Sequence, residues 1–386
     1  MAAGQLLQEG AAAASGAAAS GASGAAPAPR AYTFGEILSD PAIRERWEKV
    51  RRYFFLREST YDMTGRCNMD CDGCYYFQGE KQHTVANTSE AAWLELMQAE
   101  RARGITYVVL AGAEPSLVPQ LVRVCHQVIP LGAIATNGLK KIPDDIGYRI
   151  HISTWGNDAT SQRVRRSKNT LARQLENYAD DERAIFVYTF TRENIDEVEE
   201  VTARLAAAGA RFTFNFFSAP VGYTGGLRHD AASLARVRQA IARAMALYPA
   251  SAVFSTYGLV AHTSEGSLHE LFGCSYPRRN PAAVVGLGKT FRQYRTDLSW
   301  DREAACCVPD TDCADCRHYA AGSAIVTARL QRHATDPATF SAWLDYVDTY
   351  LAVWVRGYQK SPELVTDLVT PPLNPHRPAD CSSHPR

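Results

Sequence analysis

Between residues 57 and 220, short β-rich runs alternate with helical stretches. That alternation restricts the chain to parallel β/α units. Ser59–Thr64 reads as a strand. Thr88–Arg103 has helical spacing, with Trp93, Leu94, Leu96 and Met97 on or near one face and Gly104 as its stop. Ile105–Leu110 is a short apolar run of the kind a buried parallel strand uses. The pattern continues with a helix over Ser116–Ile129 and strands over Ala133–Thr136 and Arg149–Thr154. A helix over Ser161–Tyr178, a strand over Ala184–Phe190, a helix over Ile195–Ala208 and a strand over Arg211–Phe217 complete it. Six such units fall short of the eight that close a full barrel. The expected fold is therefore α/β, a partial (β/α)6 TIM-type barrel with a small cysteine-rich C-terminal extension.

The rest of the 386 residues divides around this barrel. Residues 1–30 are an Ala/Gly/Ser run whose small side chains bury too little to offset their ordering entropy, so a disordered tail is expected. Residues 31–56 form a helical lead-in and 221–335 a cysteine-bearing region. Residues 336–370 hold a helix with Trp343, Leu344, Val347, Leu351 and Trp354 at core-packing spacing, and 371–386 a loose Pro-rich tail. Forty-one basic residues balance forty-one acidic ones, which argues against a nucleic-acid or anionic-membrane partner. No run of about 18 apolar residues occurs and the N-terminus lacks the charged start of a signal peptide, so no membrane span and a cytoplasmic location are expected.

Ten cysteines carry the chemistry, and they cluster. The first group is Cys67-Asn68-Met69-Asp70-Cys71-Asp72-Gly73-Cys74, just after a strand. Three thiolates at these spacings can wrap one face of a [4Fe–4S] cluster, which normally takes four cysteines, so one iron is left open to a cofactor or substrate. A zinc site completed by a distant fourth ligand is the alternative.

With this loop the residues begin to resemble the radical S-adenosylmethionine (radical SAM) superfamily, and the likeness extends over residues 57–220. Gly112-Ala113-Glu114-Pro115 after the second strand is similar to the family's Gly-Gly-Glu-Pro segment, with alanine at its second glycine. Thr136-Asn137-Gly138 ends the third strand in the family manner. His151-Ile152-Ser153-Thr154-Trp155-Gly156 resembles the fourth-strand segment that contacts the SAM ribose and carboxylate. Thr191-Arg192-Glu193-Asn194 and Asn215 follow on the fifth and sixth strands. The resemblance implies a [4Fe–4S] cluster on Cys67, Cys71 and Cys74, with SAM chelated to its open iron. It implies SAM contacts from Gly112, Ala113, Glu114, Pro115, Thr136, Asn137 and Ser153. Arg163, Arg165 and Arg166, read as opening the helix after the fourth strand, include Arg165 as a candidate for the SAM carboxylate. The family usually has an aromatic residue before the third cysteine. Here that residue is Gly73, and Tyr75 or Tyr76 is the candidate to cover the adenine instead.

The second group, Cys307-x5-Cys313-x2-Cys316, has Cys306 beside it and Cys274 upstream as a fourth ligand. Its spacing suits a four-cysteine zinc or a second [4Fe–4S] cluster, and the resemblance favours an auxiliary cluster, with Cys306 versus Cys307 left open. Lys289–Gln293, Asp297–Asp301 and Asp312–His318 resemble the C-terminal region of adenosylhopene-forming radical SAM enzymes. Cys125, set among Leu121, Val122, Val124 and Val128, reads as core, and His151 as a satisfied polar neighbour.

The expected activity is reductive cleavage of SAM to a 5′-deoxyadenosyl radical that abstracts hydrogen from a small molecule in natural-product tailoring. Its electron donor would be flavodoxin or ferredoxin. Addition of the radical to an alkene and peptide maturation are alternatives within that class. A zinc-stabilised binding protein is the alternative outside it.

Overall fold

Each of the six β-rich runs forms a strand, and all but the third, which passes through a loop straight into the fourth, are followed by a helix. The computed structural model describes residues 30–74, 76–77, 85–220, 222–264, 291–300, 316–317 and 330–370. Of the expected terminal tails, residues 1–29 and 371–386 lie outside these residues, and Arg30 pairs with Glu36 of the lead-in. Tyr75, Cys274, Cys306, Cys307, Cys313 and Cys381 lie outside the described residues as well.

The lead-in holds α1 (Phe34–Ile37), capped by a reciprocal Thr33–Glu36 pair, and α2 (Pro41–Arg51), capped by Asp40. The barrel follows as β1 (Glu58–Asp62), α3 (Glu90–Ala102), β2 (Tyr107–Ala111), α4 (Pro119–Val128), β3 (Gly132–Thr136) and β4 (Arg149–Thr154). It continues as α5 (Asp158–Arg165), α6 (Thr170–Tyr178), β5 (Ala184–Phe190), α7 (Val198–Ala207) and β6 (Phe212–Phe216). After it come α8 (Ala231–Leu247), α9 (Thr256–Thr263), β7 (Gln293–Tyr294), α10 (Leu330–His333) and α11 (Pro337–Trp354).

The seven strands form one sheet in the order β6-β5-β4-β3-β2-β1-β7, and every pairing is parallel. Side chains alternate between its two faces. Large residues such as Leu110, Ile134, Ile150, Ile152, Phe186 and Tyr188 point outward into the helix layer and form the main core. The inward positions are mostly small: Thr60, Ala111, Ala133, Ala135, Ser153 and Thr189. The lumen of this partial barrel is therefore an open cavity of about 270 Å³, lined from every strand, where a full TIM barrel would be filled by branched side chains.

Two features depart from the sequence reading. The helix expected over residues 161–178 is two helices, because Arg166 and Asn169 both adopt left-handed backbone at φ 54° and turn the chain between α5 and α6. Arg163 and Arg165 consequently lie in the last turn of α5 and Arg166 ends it, so these arginines close that helix rather than open it.

The seventh strand, β7, was not foreseen. It pairs with β1 over only two residues, Thr60 with Gln293 and Tyr61 with Tyr294. Tyr294 stacks flat on Tyr61 at 5.1 Å. Buried Glu100 accepts a hydrogen bond from each hydroxyl, at 3.0 Å from Tyr61 and 2.7 Å from Tyr294.

The floor of the barrel is α11, which carries 18 residues, packs on α2 and α9, and ends beneath the N-terminal ends of the strands. The Tyr107 hydroxyl donates to the Trp354 carbonyl at 2.6 Å, and Arg149 donates to the carbonyls of Ala352 and Val355. Arg46 of α2 meets Asp345 of α11 at 2.6 Å in a buried ion pair. Among the described residues no helix is long and apolar enough to cross a membrane.

Candidate functional site

Parallel strands bring all their C-terminal ends to one face, and the cysteine loop lies there, directly after β1. Cys67, Cys71 and Cys74 are half-buried free thiols, and all three line the lumen. Hydrogen bonds from neighbouring loops fix this segment. The Asp72 N–H donates to the Val164 carbonyl at 2.8 Å, the Glu114 N–H to the Arg66 carbonyl at 3.0 Å, and Asn137 Nδ2 to Asn68 Oδ1 at 2.6 Å. The Tyr223 hydroxyl reaches Asp72 from the loop after β6.

Gly73 sits at φ +66°, and a Cβ built there would lie 2.7 Å from the Phe217 ring. An aromatic side chain at position 73 is thus excluded by conformation and by space. An aromatic wall is present nonetheless. Phe217 and Trp155 meet edge-on at 5.8 Å, and both line the cavity. Of the two tyrosines proposed for that duty, Tyr75 lies outside the described residues. Tyr76 is buried beneath the loop, its hydroxyl near Gly65, and is not among the lining residues.

The ends of β2, β3 and β4 form the rim. Gly112 takes φ +75° because its backbone crosses β1: a Cβ there would come within 2.5 Å of the Asp62 Cα. Ala113 has no such requirement, and its φ is not positive, so alanine is accommodated there. Glu114 is buried with both oxygens engaged. One accepts from the Ser116 N–H at 2.9 Å and the Thr136 hydroxyl at 2.7 Å, the other from the Asn137 N–H at 2.8 Å. It therefore ties the β2 end to the β3 end as well as facing the cavity. Pro115 begins the 3-10 turn that Glu114 caps and is not among the lining residues. Arg165 donates to the Ser153 carbonyl and stands 5.6 Å over the Trp155 ring. Gln174, which nothing in the sequence marks, stitches β3 to β4 by donating to the carbonyls of Asn137 and Ser153, each at 2.8 Å. His151 is committed to the Val353 carbonyl at 3.0 Å, and Cys125 is fully buried in the core.

The sulfur environment suits a thiolate-bound cluster. Burial pushes the Cys67 thiol up to about 11, opposed by the backbone N–H of Met69. Burial likewise raises Cys74, opposed by the N–H groups of Phe77 and Tyr76 and by Arg165. Asn137 Nδ2 lies 3.8 Å from Cys67 Sγ. Bound metal replaces the thiol protons, and N–H donors aimed at sulfur are what a charged thiolate cluster requires. Among the described residues no three His, Cys, Asp or Glu side chains converge on a single-ion position; the three thiols are arrayed around the cavity mouth.

Of the second cysteine group only Cys316 is described. It is buried, and its neighbour Arg317 donates its N–H to the Ser218 hydroxyl at 2.9 Å and its guanidinium to the carbonyls of His262 and Ser264. Ser218 lines the lumen.

No family model matches the chain. Over 94 residues it is 30% identical to 7-carboxy-7-deazaguanine synthase of Haemophilus influenzae, a match covering 23% of this chain and 41% of that protein. The chain thus spans less than half the length of this curated relative. Solved structures it is similar to include Streptococcus suis SuiB bound to the precursor peptide SuiA, at 15% identity over 66% of this chain and 61% of that one, with a TM-score of 0.45. Another is anSMEcpe with bound AdoMet and a Cp18Cys peptide, at 10% identity over 77% and 96% of the two chains, also with a TM-score of 0.45.

Proposed function

We propose that this chain is a radical SAM enzyme, which binds a [4Fe–4S] cluster through Cys67, Cys71 and Cys74 and SAM at the rim above the lumen. Three free thiols at Cys-x3-Cys-x2-Cys spacing, all facing one cavity at the C-terminal ends of parallel strands, support the reading most directly. The cluster with SAM bound supplies one-electron cleavage of SAM to methionine and a 5′-deoxyadenosyl radical.

The chain's own residues do the positioning. Gly112 lets the β2 end pass close over β1, opening the rim for the SAM amino group beside Glu114. Asn137 braces the loop at Cys67. Arg165, held over Trp155, offers its charge to the SAM carboxylate. Phe217 and Trp155 form the apolar wall against which the adenosyl group packs. The lumen beneath the rim would receive the substrate and hold it beside the SAM site.

The substrate is a small molecule. The size of the lumen and the partial match to a 7-carboxy-7-deazaguanine synthase support this. Cys274, Cys307, Cys313 and Cys316 hold a second [4Fe–4S] cluster, with Cys306 as the substitute for Cys307. Flavodoxin or ferredoxin supplies the electron.

The test is the iron and zinc content per chain after anaerobic reconstitution, followed by reduction with dithionite in the presence of SAM. About four to eight irons and release of 5′-deoxyadenosine are expected. Zinc without iron, or no deoxyadenosine from iron-loaded protein, overturns the reading. Free deoxyadenosine indicates hydrogen abstraction, whereas adenosyl mass retained in the product indicates addition.

A further inference from the structure

The lumen continues below the level of the cysteine loop, and its lower part is unlike its mouth. Glu58 opens β1, and its carboxylate faces this space. Four residues separate it from Asp62 at the top of the same strand, a drop of about 13 Å. Apart from Thr60 and Gln293, the uncharged polar side chains one step up the lumen, the surroundings of Glu58 are mostly apolar. Val109, Ala133 and Val187 form walls, and Trp354 forms the floor. The Tyr107 hydroxyl is spent on the Trp354 carbonyl. The His151 ring donates to Val353, and burial keeps it neutral, with its pKa lowered to about 3. Among the described lining residues Arg165 is the only Arg or Lys, and it sits at the mouth, engaged with Ser153. Among the described residues the Glu58 carboxylate has no side-chain hydrogen bond or ion pair, although its backbone belongs to the β1–β2 ladder.

A half-buried carboxylate turned into a largely apolar space without a counter-charge is costly to the fold, and a ligand that brings the counter-charge recovers that cost. We propose that the lower lumen is a binding site for a small amine, whose ammonium group is received by Glu58 and whose hydrocarbon body packs on Val109, Val187 and Trp354. The indole face of Trp354 adds a second cation-attracting surface. The other acids lining the lumen, Asp62 and Glu114, stand at its mouth, and Glu114 is engaged with Ser116, Thr136 and Asn137, so Glu58 is the acid of the lower part. Burial pushes the Glu58 carboxyl up to about 7, as expected for an acid lacking a positive partner.

This deepens the enzyme reading by naming its substrate class, and it rests on that reading only in assigning the upper lumen to SAM. The test is calorimetric titration of the reconstituted protein at pH 8 with cyclohexylamine and with its neutral analogue cyclohexanol. The amine should bind about tenfold or more tightly than the alcohol. Glu58→Gln and Glu58→Ala should bring the two affinities within about twofold of each other by losing amine affinity. Both substitutions remove an unpaired acid, so both variants should fold with a melting temperature no lower than that of the parent. Equal affinities in the parent chain, no binding of either probe, or an amine preference that survives in a folded variant each overturn the proposal. Iron content and deoxyadenosine release do not involve Glu58, so failure here is distinguishable from failure of the radical SAM assignment.

Discussion

At Gly73 the φ of +66° and the Phe217 ring 2.7 Å from a built Cβ act together, so one methyl group is resisted twice. Gly73→Ala should destabilise the chain by about 1–3 kcal/mol and lower the iron retained after reconstitution. A Phe217→Ala second substitution should recover the steric part but not the conformational part, a split that denaturant titration of the double-mutant cycle reads. Cys71→Ala should leave the chain folded by circular dichroism while abolishing 5′-deoxyadenosine release. Glu58 makes a prediction of a different kind. Its folded carboxyl titrates near 7, above the ordinary range, because burial disfavours the charge. The stability linked to it is therefore complete at acid pH and is lost as pH rises through 7. Glu58→Gln has no such loss, so the melting-temperature gap in its favour should widen from pH 5.5 to pH 8.5. A constant gap would mean that Glu58 is solvated in the folded chain.

Among the elements, α11 decides whether the barrel has a floor. Arg46 pairs with Asp345 at 2.6 Å, and Asp345 also accepts from the N–H groups of Leu364 and Val365. Burial nonetheless pushes the Asp345 carboxyl up to about 6, against those donors and against Arg46, so desolvation outweighs the attraction. Removing the arginine leaves the buried acid with its two N–H donors but no counter-charge, and Arg46→Ala should cost about 3–5 kcal/mol in urea unfolding. The elements were legible to the extent that their signals are local. Strands β4 and β5 begin and end where their β-rich runs do, and the apolar face of α11 is its packing face. The break between α5 and α6 was not legible, because it rests on left-handed backbone at Arg166 and Asn169 with no proline or glycine to mark it, and the weaker left-handed tendency of asparagine alone does not stop a helical pattern. Nor was β7 legible, since two residues have no periodicity and its position depends on Tyr61 and Glu100, far away in sequence. The same division runs through the site. The cysteine spacing and the rim segments announce themselves, whereas Phe217, Gln174 and Glu58 become site residues only when the sheet curves.

For the whole molecule, metal content is the integrating measurement. About eight irons per chain would mean a second cluster on the C-terminal cysteines, and about four irons with one zinc would make that site structural. With two clusters present, Cys313→Ala should lose about half the iron and keep part of the deoxyadenosine release. The chamber itself is assembled from distant parts of the chain. Its mouth carries Cys67 and its floor Trp354, and Arg46 waits for an acid 299 residues further on. At ribosomal speeds of about 5–20 residues per second, roughly 15–60 s separate synthesis of the mouth from synthesis of the floor. During that interval the nascent barrel is a tube open at both ends. Stalled or prematurely terminated translation products would carry the cysteine loop but no floor beneath it, and so would expose thiols that the finished chain keeps half-buried.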